Sequence, residues 1–188
     1  EDYDINKIIC KTEIENLDII PANIQLAGAE IELTNTKYRE KTLREKINLI
    51  EKNYDFIIID CPPSLGLLSL NALTASTSVL IPIQCEYYSL EGVGQLIDTV
   101  KLVRENLNPK LKIEGVLLNM FDGRTNLSIQ VVEEVKKYFK DKVYRTVIPR
   151  SVRLAEAPSF GQPIMLYDDK SKGSTAYIKL SEEFIKNN

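Results

Sequence analysis

The stretch 54-YDFIIIDCPPSLG-66 decides the predicted fold, and the other segments are interpreted around it. Its apolar run, Phe56 to Ile59, is rich in β-branched residues and does not alternate with polar residues. Such a run is typical of a strand that helices cover on both faces, as in a parallel sheet. Pro62 and Pro63 end the strand, because proline cannot donate a hydrogen bond to a neighbouring strand. The stretch therefore predicts a strand at the centre of an α/β fold.

Asp60 follows the predicted strand directly. Open α/β sheets bind their ligands at the carboxyl ends of their strands, so this carboxylate is expected at a ligand site. In nucleotide-hydrolysing P-loop proteins, an acid at this position orders Mg²⁺ beside the phosphates. The same pattern also fits a carboxylate that only caps the next turn, and the apolar run and the acid by themselves leave both interpretations open.

The composition is that of a single globular domain. The chain has 188 residues, of which 44% are hydrophobic, and it can bury a substantial core. Its net charge of −3 does not indicate a nucleic-acid binder overall, although it is compatible with a local basic patch. No apolar run approaches the roughly 20 residues that span a bilayer.

Histidine is absent, so any chemistry depends on carboxylates, lysines, amides or a bound metal. The three cysteines are odd in number and have no paired metal-site spacing, and with no signal peptide they predict a reducing, cytoplasmic location.

The remaining segments predict alternating helices and strands. Helices are expected over 1–12, 22–33 after a short loop, 36–53, 67–76, 91–106, 129–140 and 174–186, the last with Ser174 as its N-cap. Strands are expected over 17–21, 56–59, 78–83, 113–120 and 143–148. This alternation is typical of right-handed βαβ units. We therefore predict one α/β domain over residues 1–188, with a mostly parallel sheet flanked by helices.

Four further segments, with the stretch 54–66, carry a family resemblance over almost the whole chain. They are 20-IPANIQLAGAEIEL-33, 81-IPIQCEYYSLEG-92, 117-LLNMFDGRTNLS-128 and 147-VIPRSVRLAEAPSFGQPI-164. In this order they resemble the ParA/Soj family of chromosome- and plasmid-partition ATPases, in the deviant Walker A group. The stretch 54–66 resembles that family's Walker B region. The resemblance implies a P-loop NTPase-like fold, ATP and Mg²⁺ as ligands, and ATP hydrolysis by the full-length protein.

The resemblance also assigns residues to the nucleotide. Asn119 ends a predicted strand, and its amide can both donate to and accept from a base edge. By resemblance Asn119 binds adenine, together with Pro149 and Arg150 at the end of the next strand. Asp60 is implied to hold Mg²⁺ through water.

Gln84, Cys85 and Glu86 follow the end of the strand predicted over 78–83. They are therefore expected at the same edge of the sheet as Asp60 and Asn119. They resemble the family's switch region, which responds to the nucleotide and to the dimer partner. They also fit an ordinary loop between a strand and a helix, and the sequence leaves the two interpretations open.

Basic residues crowd the helix predicted over 129–140 and the segment after it. A charged helix face is usually only solvated. The resemblance implies that basic residues in this part bind double-stranded DNA, without sequence preference, when an ATP-bound homodimer assembles. Lys140 and Arg153 are the first candidates, followed by Lys136 and Arg145. Aromatic residues are not interleaved with them, which argues against stacking on single strands.

The family resemblance implies a ParB-type partner that stimulates hydrolysis, a nucleoid-associated location and no membrane. One alternative is a MinD-like membrane-surface ATPase of cell-division placement. That branch needs an amphipathic basic helix at its C-terminus, whereas this chain ends in 181-SEEFIKNN-188. The other alternative is an adaptor that binds DNA or a partner and has no catalytic activity.

The family's phosphate-binding loop does not occur in this sequence, which contains no GKT or GKS. By resemblance we expect that loop, the first strand and the catalytic aspartate upstream of Glu1, and we predict no catalytic residue within the chain. Loss of a central strand would leave backbone groups unpaired, each costing about 1–3 kcal/mol. We therefore predict that the 188-residue polypeptide neither hydrolyses ATP nor persists as a stable soluble monomer.

Overall fold

The computed structural model describes residues 4–50, 54–86 and 89–188. The chain divides into two compact units. The first comprises Glu1–Thr77 and Asp98–Leu111, and the second comprises Ser78–Ile97 and Lys112–Asn188. Among the described helices, none combines the length and the apolar character that crossing a membrane requires.

The strands are β1 (Cys10–Lys11), β2 (Asp18–Ile19), β3 (Ser78–Gln84), β4 (Lys112–Phe121) and β5 (Val143–Pro149). The α-helices are α1 (Ala29–Leu33), α2 (Thr42–Ile47), α3 (Leu67–Ala75), α4 (Ser89–Asn106), α5 (Asn126–Phe139), α6 (Val152–Glu156), α7 (Ile164–Tyr167) and α8 (Lys172–Asn187). Short 3₁₀ helices cover Ile5–Lys7, Ile24–Gly28, Arg39–Lys41, Lys140–Lys142 and Ala157–Phe160.

The second unit is built on a parallel sheet of order β3-β4-β5. Successive side chains of β4 point to opposite faces of this sheet, as in any strand. Leu118 packs with α5 residues Val131 and Val135 on one face, whereas Leu117 packs with α8 residues Ala176 and Leu180 on the other. Both faces are therefore covered, which explains the continuous apolar runs of these strands. The predicted strands at 78–83, 113–120 and 143–148 and the predicted fold class are confirmed.

The first unit is held by buried amides. Asn71 on α3 accepts a hydrogen bond from Leu43 N at 3.1 Å and donates to Arg39 O at 2.8 Å. Asn108 donates to Leu73 O at 3.1 Å and to Ser76 O at 2.7 Å, both near the C-terminal end of α3. Asn71 and Asn108 are 4% and 6% exposed. Because a buried amide is stable only when it is hydrogen-bonded, these contacts define how α3 packs.

The N-terminal prediction is wrong in its described part. In place of a helix over 1–12, residues 4–12 contain a 3₁₀ turn and strand β1, which pairs antiparallel with β2. The Thr12 hydroxyl donates to Leu17 O at 2.7 Å and so closes a hairpin, a local bond that competes with helix formation. Residues 1–3 lie outside the described residues. Of the strand predicted over 17–21, only Asp18–Ile19 is present, as β2.

Two helix predictions differ from the structure in their limits. The helix predicted over 36–53 starts as a 3₁₀ turn after Tyr38, whose φ of 59° is left-handed, and α2 ends at Ile47. Residues 51–53 of that prediction lie outside the described residues. The N-cap of α8 is Ser171 rather than Ser174, since the Ser171 hydroxyl accepts from Ser174 N at 3.0 Å. Ser174 instead lies fully buried in the first turn of the helix.

The strand predicted over 56–59 is wrong, because residues 54–60 adopt no regular secondary structure. Phe56 is 51% exposed and Ile58 is 87% exposed, so the run is not covered on both faces by the described residues. A strand is defined by hydrogen bonds to a neighbouring strand, and no described strand pairs with this run. Apolar character alone was not sufficient to produce the strand.

Candidate functional site

The parallel sheet brings three predicted segments to one edge. Gln84, the last residue of β3, is in register with Asn119 of β4, and Phe121 of β4 is in register with Pro149, the last residue of β5. The backbone pairing continues beyond β3 and β5. Cys85 N donates to Asn119 O at 2.9 Å, and Arg150 N donates to Phe121 O at 3.0 Å.

Asn119 has a side-chain conformation set by its own backbone. Its Oδ1 accepts a hydrogen bond from Met120 N at 2.8 Å. Met120 adopts a left-handed φ of 54°, which is uncommon for a residue other than glycine and often marks functional sites. Within the described residues, Asn119 Nδ2 has no hydrogen-bond acceptor. The half-buried side chain thus has an amide donor without a partner among the described residues, at the edge of the sheet where open α/β proteins bind their ligands.

The predicted switch residues lie beside the predicted base-binding segment. Cys85 is 2% exposed, and its carbonyl accepts from the hydroxyl of Ser128 at 3.2 Å, which ties this loop to α5. Burial raises the pKa of the Cys85 thiol. The Glu86 carboxylate forms an ion pair with the Arg150 guanidinium. Because both side chains are about half exposed, this pair adds little stability, but it brings the loops after β3 and β5 into contact.

Asp60 belongs to the first unit, and its side chain is exposed. No cluster of three potential metal ligands from histidine, cysteine, aspartate or glutamate occurs among the described residues. A single carboxylate nevertheless fits Mg²⁺, which usually keeps several waters and binds one or two carboxylates together with substrate phosphates. Burial and the charge of Asp60 raise the pKa of the adjacent Cys61 thiol. Residue 60 thus carries a carboxylate that is accessible to a hydrated metal ion.

The predicted DNA-binding residues lie in the second unit and are all exposed. Arg153 is already paired, with Glu156 at 3.0 Å and Asp168 at 3.4 Å. Hydrogen bonding to Glu156 and Tyr167 raises the pKa of Arg153. Lys136 lies on α5, and Lys140 follows that helix with a left-handed φ of 50°.

Arg145 lies in an open groove of about 500 Å³ between β5 and the region of α8. Three lysines share this groove: Lys170, Lys172 and Lys179. The sequence analysis missed them, since it examined the helix over 129–140 and the residues just after it. Their spacing over ten residues at the terminal helix was the available signal.

Sequence analysis also missed a charged turn that follows β4. Both carboxylate oxygens of Asp122 accept from the Arg124 guanidinium, at 2.9 and 2.7 Å. These hydrogen bonds, and another from Arg124 N, hold the pKa of Asp122 far below its usual range. The turn leads into α5, whose N-cap is Thr125.

A parallel sheet covered on both faces, with polar residues at its carboxyl edge, is an open α/β architecture of the kind that P-loop NTPases share. A family model described as an AAA domain matches residues 1–113. Over 187 residues the chain is 63% identical to the sporulation initiation inhibitor protein Soj of Bacillus subtilis (strain 168), covering 100% of this chain and 74% of that protein. It is 55% identical over 185 residues to the chromosome partitioning protein ParA of Myxococcus xanthus (strain DK1622), covering 98% of this chain and 65% of that protein. The chain belongs to the Soj/ParA family of chromosome-partitioning ATPases.

A solved structure agrees with the fold. Cobyrinic acid a,c-diamide synthase from Mycobacterium smegmatis, with bound ADP and magnesium, matches with a TM-score of 0.80 and 36% identity. The match covers 96% of this chain and 66% of that one. The chain thus spans about two thirds to three quarters of the length of these proteins. That protein carries ADP and magnesium, and ATP with Mg²⁺ is the ligand that the family resemblance implies for this chain.

Proposed function

We propose that this chain is part of a chromosome- or plasmid-partition ATPase that binds ATP and Mg²⁺, dimerises with ATP bound and then binds DNA without sequence preference. The observation that carries the proposal is the shared edge of the sheet, where Asn119, Pro149 and Arg150 lie beside Gln84, Cys85 and Glu86. The 63% identity to Soj supports it independently.

Adenine recognition is proposed for the residues at the ends of β4 and β5. The Asn119 amide supplies the Nδ2 donor, and its Oδ1 can also accept from a ligand because a carbonyl oxygen has two lone pairs. Pro149 ends its strand without an N–H and carries an apolar ring at the same edge of the sheet, in register with Phe121. The backbone N–H of Arg150 is occupied by Phe121 O, so its contribution is the guanidinium, which Glu86 orients.

Asp60 is proposed to hold the waters of a hydrated Mg²⁺, with ATP phosphates completing the coordination. When bound, the ion would neutralise charge that develops on the phosphates. The relatives are longer than this chain, and we propose that the glycine-rich loop and the catalytic aspartate lie in the part of the full-length protein that this chain does not cover.

Loop 84–86 is proposed as the switch. It contacts Arg150, a proposed base-binding residue, through Glu86, and it contacts α5 through Cys85.

DNA binding is proposed for Lys140 and Arg153, and also for Lys136 and Arg145. A dimer doubles this surface, and each phosphate neutralised steepens the log–log salt dependence by about 0.9. Arg153 would exchange its carboxylate partners for phosphate.

A ParB-type protein is proposed to stimulate hydrolysis, and the protein is proposed to act at the nucleoid in the cytoplasm. The MinD-like and adaptor alternatives have less support, since the two relatives above are partition proteins.

The decisive experiment measures DNA binding by the full-length protein with ATP, with ADP and without nucleotide, in Mg²⁺ and at several salt concentrations. We expect tight, salt-sensitive binding only with ATP. Asn119→Ala should weaken ATP binding, whereas Arg153→Ala should leave ATP binding intact and reduce the salt slope by about one unit. DNA binding that ignores the nucleotide would refute the switch. Co-sedimentation with anionic liposomes would favour the MinD-like alternative, and ATP binding without turnover would favour the adaptor.

A further inference from the structure

Glu30 reaches from α1 to the first turn of α3. Its Oε1 accepts a hydrogen bond from Leu68 N at 3.2 Å, although the two residues are 38 positions apart. The first N–H groups of a helix have no partner within the helix. The N-cap of α3 is Gly66, which has no side chain to supply an acceptor. Glu30 supplies the acceptor, and its negative charge is favourable at the positive end of the helix dipole.

Gly66 and the Glu30 carboxylate are in close contact. A Cβ added to Gly66 would lie 2.3 Å from Glu30 Oε1 and 3.1 Å from its Cδ. The φ of Gly66 is −81°, which any residue can adopt. A methyl group at Gly66 would therefore be compatible with the backbone but would displace the flexible Glu30 carboxylate from the helix end.

This contact anchors the loop that begins at Asp60. Residues 61–65 connect Asp60 to Gly66, and Pro62 and Pro63 stiffen the connection because their φ angles are fixed. The loop has a second anchor, since the Ser69 hydroxyl donates to Ser64 O at 2.5 Å. α3 itself is held in place by the buried Asn71. The end of α3 to which the loop attaches thus limits where the Asp60 carboxylate can lie.

We propose that Glu30 is a positioning residue for Asp60: by capping α3 against Gly66, it holds the loop that presents the carboxylate to Mg²⁺. The proposal rests on the function proposed above for Asp60. Glu30 would not touch the metal or the nucleotide. Its loss should therefore change how much Mg²⁺ the protein needs, and should leave the metal-independent part of nucleotide binding unchanged.

The test uses the full-length protein with Glu30→Ala and Glu30→Gln, and with Glu32→Ala as the matched control on the exposed side of the same helix. A fluorescent ATP analogue reports binding while Mg²⁺ is titrated, and again in excess chelator. We expect Glu30→Ala to raise the half-maximal Mg²⁺ concentration about threefold to tenfold, below or at the lower end of effects seen for residues that bond a metal ligand directly. Glu30→Gln keeps an acceptor oxygen and should give a smaller shift. Binding in chelator should match the wild type.

Gly66→Ala provides an independent arm, which decides the question if Glu30→Ala fails to fold. It should shift the Mg²⁺ dependence in the same direction, and Glu30→Ala/Gly66→Ala should be no worse than the more affected single variant. Mg²⁺ curves that match Glu32→Ala, or fully additive effects of the two changes, would overturn the positioning role. A wild-type protein whose ATP binding ignored Mg²⁺ would instead overturn the function proposed for Asp60.

Discussion

Glu183 stabilises an irregular part of strand β5, and its removal should destabilise the protein in a pH-dependent way. Its two carboxylate oxygens accept from Arg145 N at 2.7 Å and from Thr146 N at 2.9 Å. The register of β5 against β4 shifts between Val116 and Leu118. Irregular register leaves backbone groups unpaired in the ladder, and here the carboxylate from α8 pairs two of them.

The magnitude follows from the two hydrogen bonds. A hydrogen bond to a charged group contributes about 1.5–3 kcal/mol when it is buried, and less in water. Arg145 is exposed and Thr146 is half-buried, so we expect Glu183→Gln to lower the free energy of unfolding by about 1–2 kcal/mol. For a domain of this size, that corresponds to a melting temperature lower by roughly 2–8 °C. The glutamine keeps one acceptor oxygen but places its amide NH₂ group, a donor, against the second backbone N–H.

The sign of the pH dependence follows from the pKa of Glu183. Partial burial acts to raise this pKa, but the hydrogen bonds from Arg145 and Thr146 outweigh it, and the pKa lies below its ordinary value of 4.5. The unfolded chain therefore takes up the proton more readily than the folded protein. The stabilisation is fully present above the unfolded pKa and is lost as the pH falls through the folded pKa. The difference between wild type and Glu183→Gln should shrink below about pH 4.5.

The assay is urea unfolding of the full-length protein, followed by circular dichroism from neutral pH into the acid range. Glu182→Gln removes an exposed carboxylate from the adjacent position of α8 and serves as the control. A Glu183→Gln protein as stable as the control at neutral pH would refute the reasoning. A difference that stayed constant into acid would show that the carboxylate charge has no part in it.

Asn108→Ala leaves two backbone carbonyls near the end of α3 without their donor, and should lower the free energy of unfolding in urea by about 2–3 kcal/mol. Asn106→Ala removes an exposed amide and should lower it much less. Equal losses for both would contradict the importance of burial. The 188-residue polypeptide should self-associate, because Phe56 and Ile58 are exposed. Sedimentation velocity should show species heavier than the monomer, and Ile58→Lys should lower the fraction of those species. A monodisperse monomer at all concentrations would contradict this.

The second unit was largely predictable because its sequence pattern and its environment agree. Its three strands have apolar runs, and helices cover both faces of the sheet that they form. In α5, Val131, Val135 and Phe139 recur at helical spacing and all face one core. At two places a single hydrogen bond of a side chain decided the local structure. At Thr12 it closes a hairpin where a helix was predicted, and at Ser171 it starts α8 earlier than predicted.

The candidate site was predictable to the extent that it follows from topology. Polar residues after parallel strands must lie at one edge, so the proximity of Gln84, Asn119 and Pro149 needed only the strand assignments. The pairing of Glu86 with Arg150 joins residues 64 positions apart and depends on how two loops leave the sheet. The contact of Glu30 with Gly66 likewise depends on tertiary packing, since no local pattern distinguishes Glu30 from Glu32.

The run 56–59 shows why these two kinds of prediction differ. Apolar, β-branched side chains favour burial, and each contributes this preference independently of strand pairing. Strand formation is instead a property of a pair, because it requires hydrogen bonds to a neighbour. The run keeps its apolar character while Ile58 is 87% exposed and no described strand adjoins it. In these described residues the position of Asp60 therefore depends on the anchored loop that follows it, and the Glu30 contact with Gly66 gains its importance from that dependence.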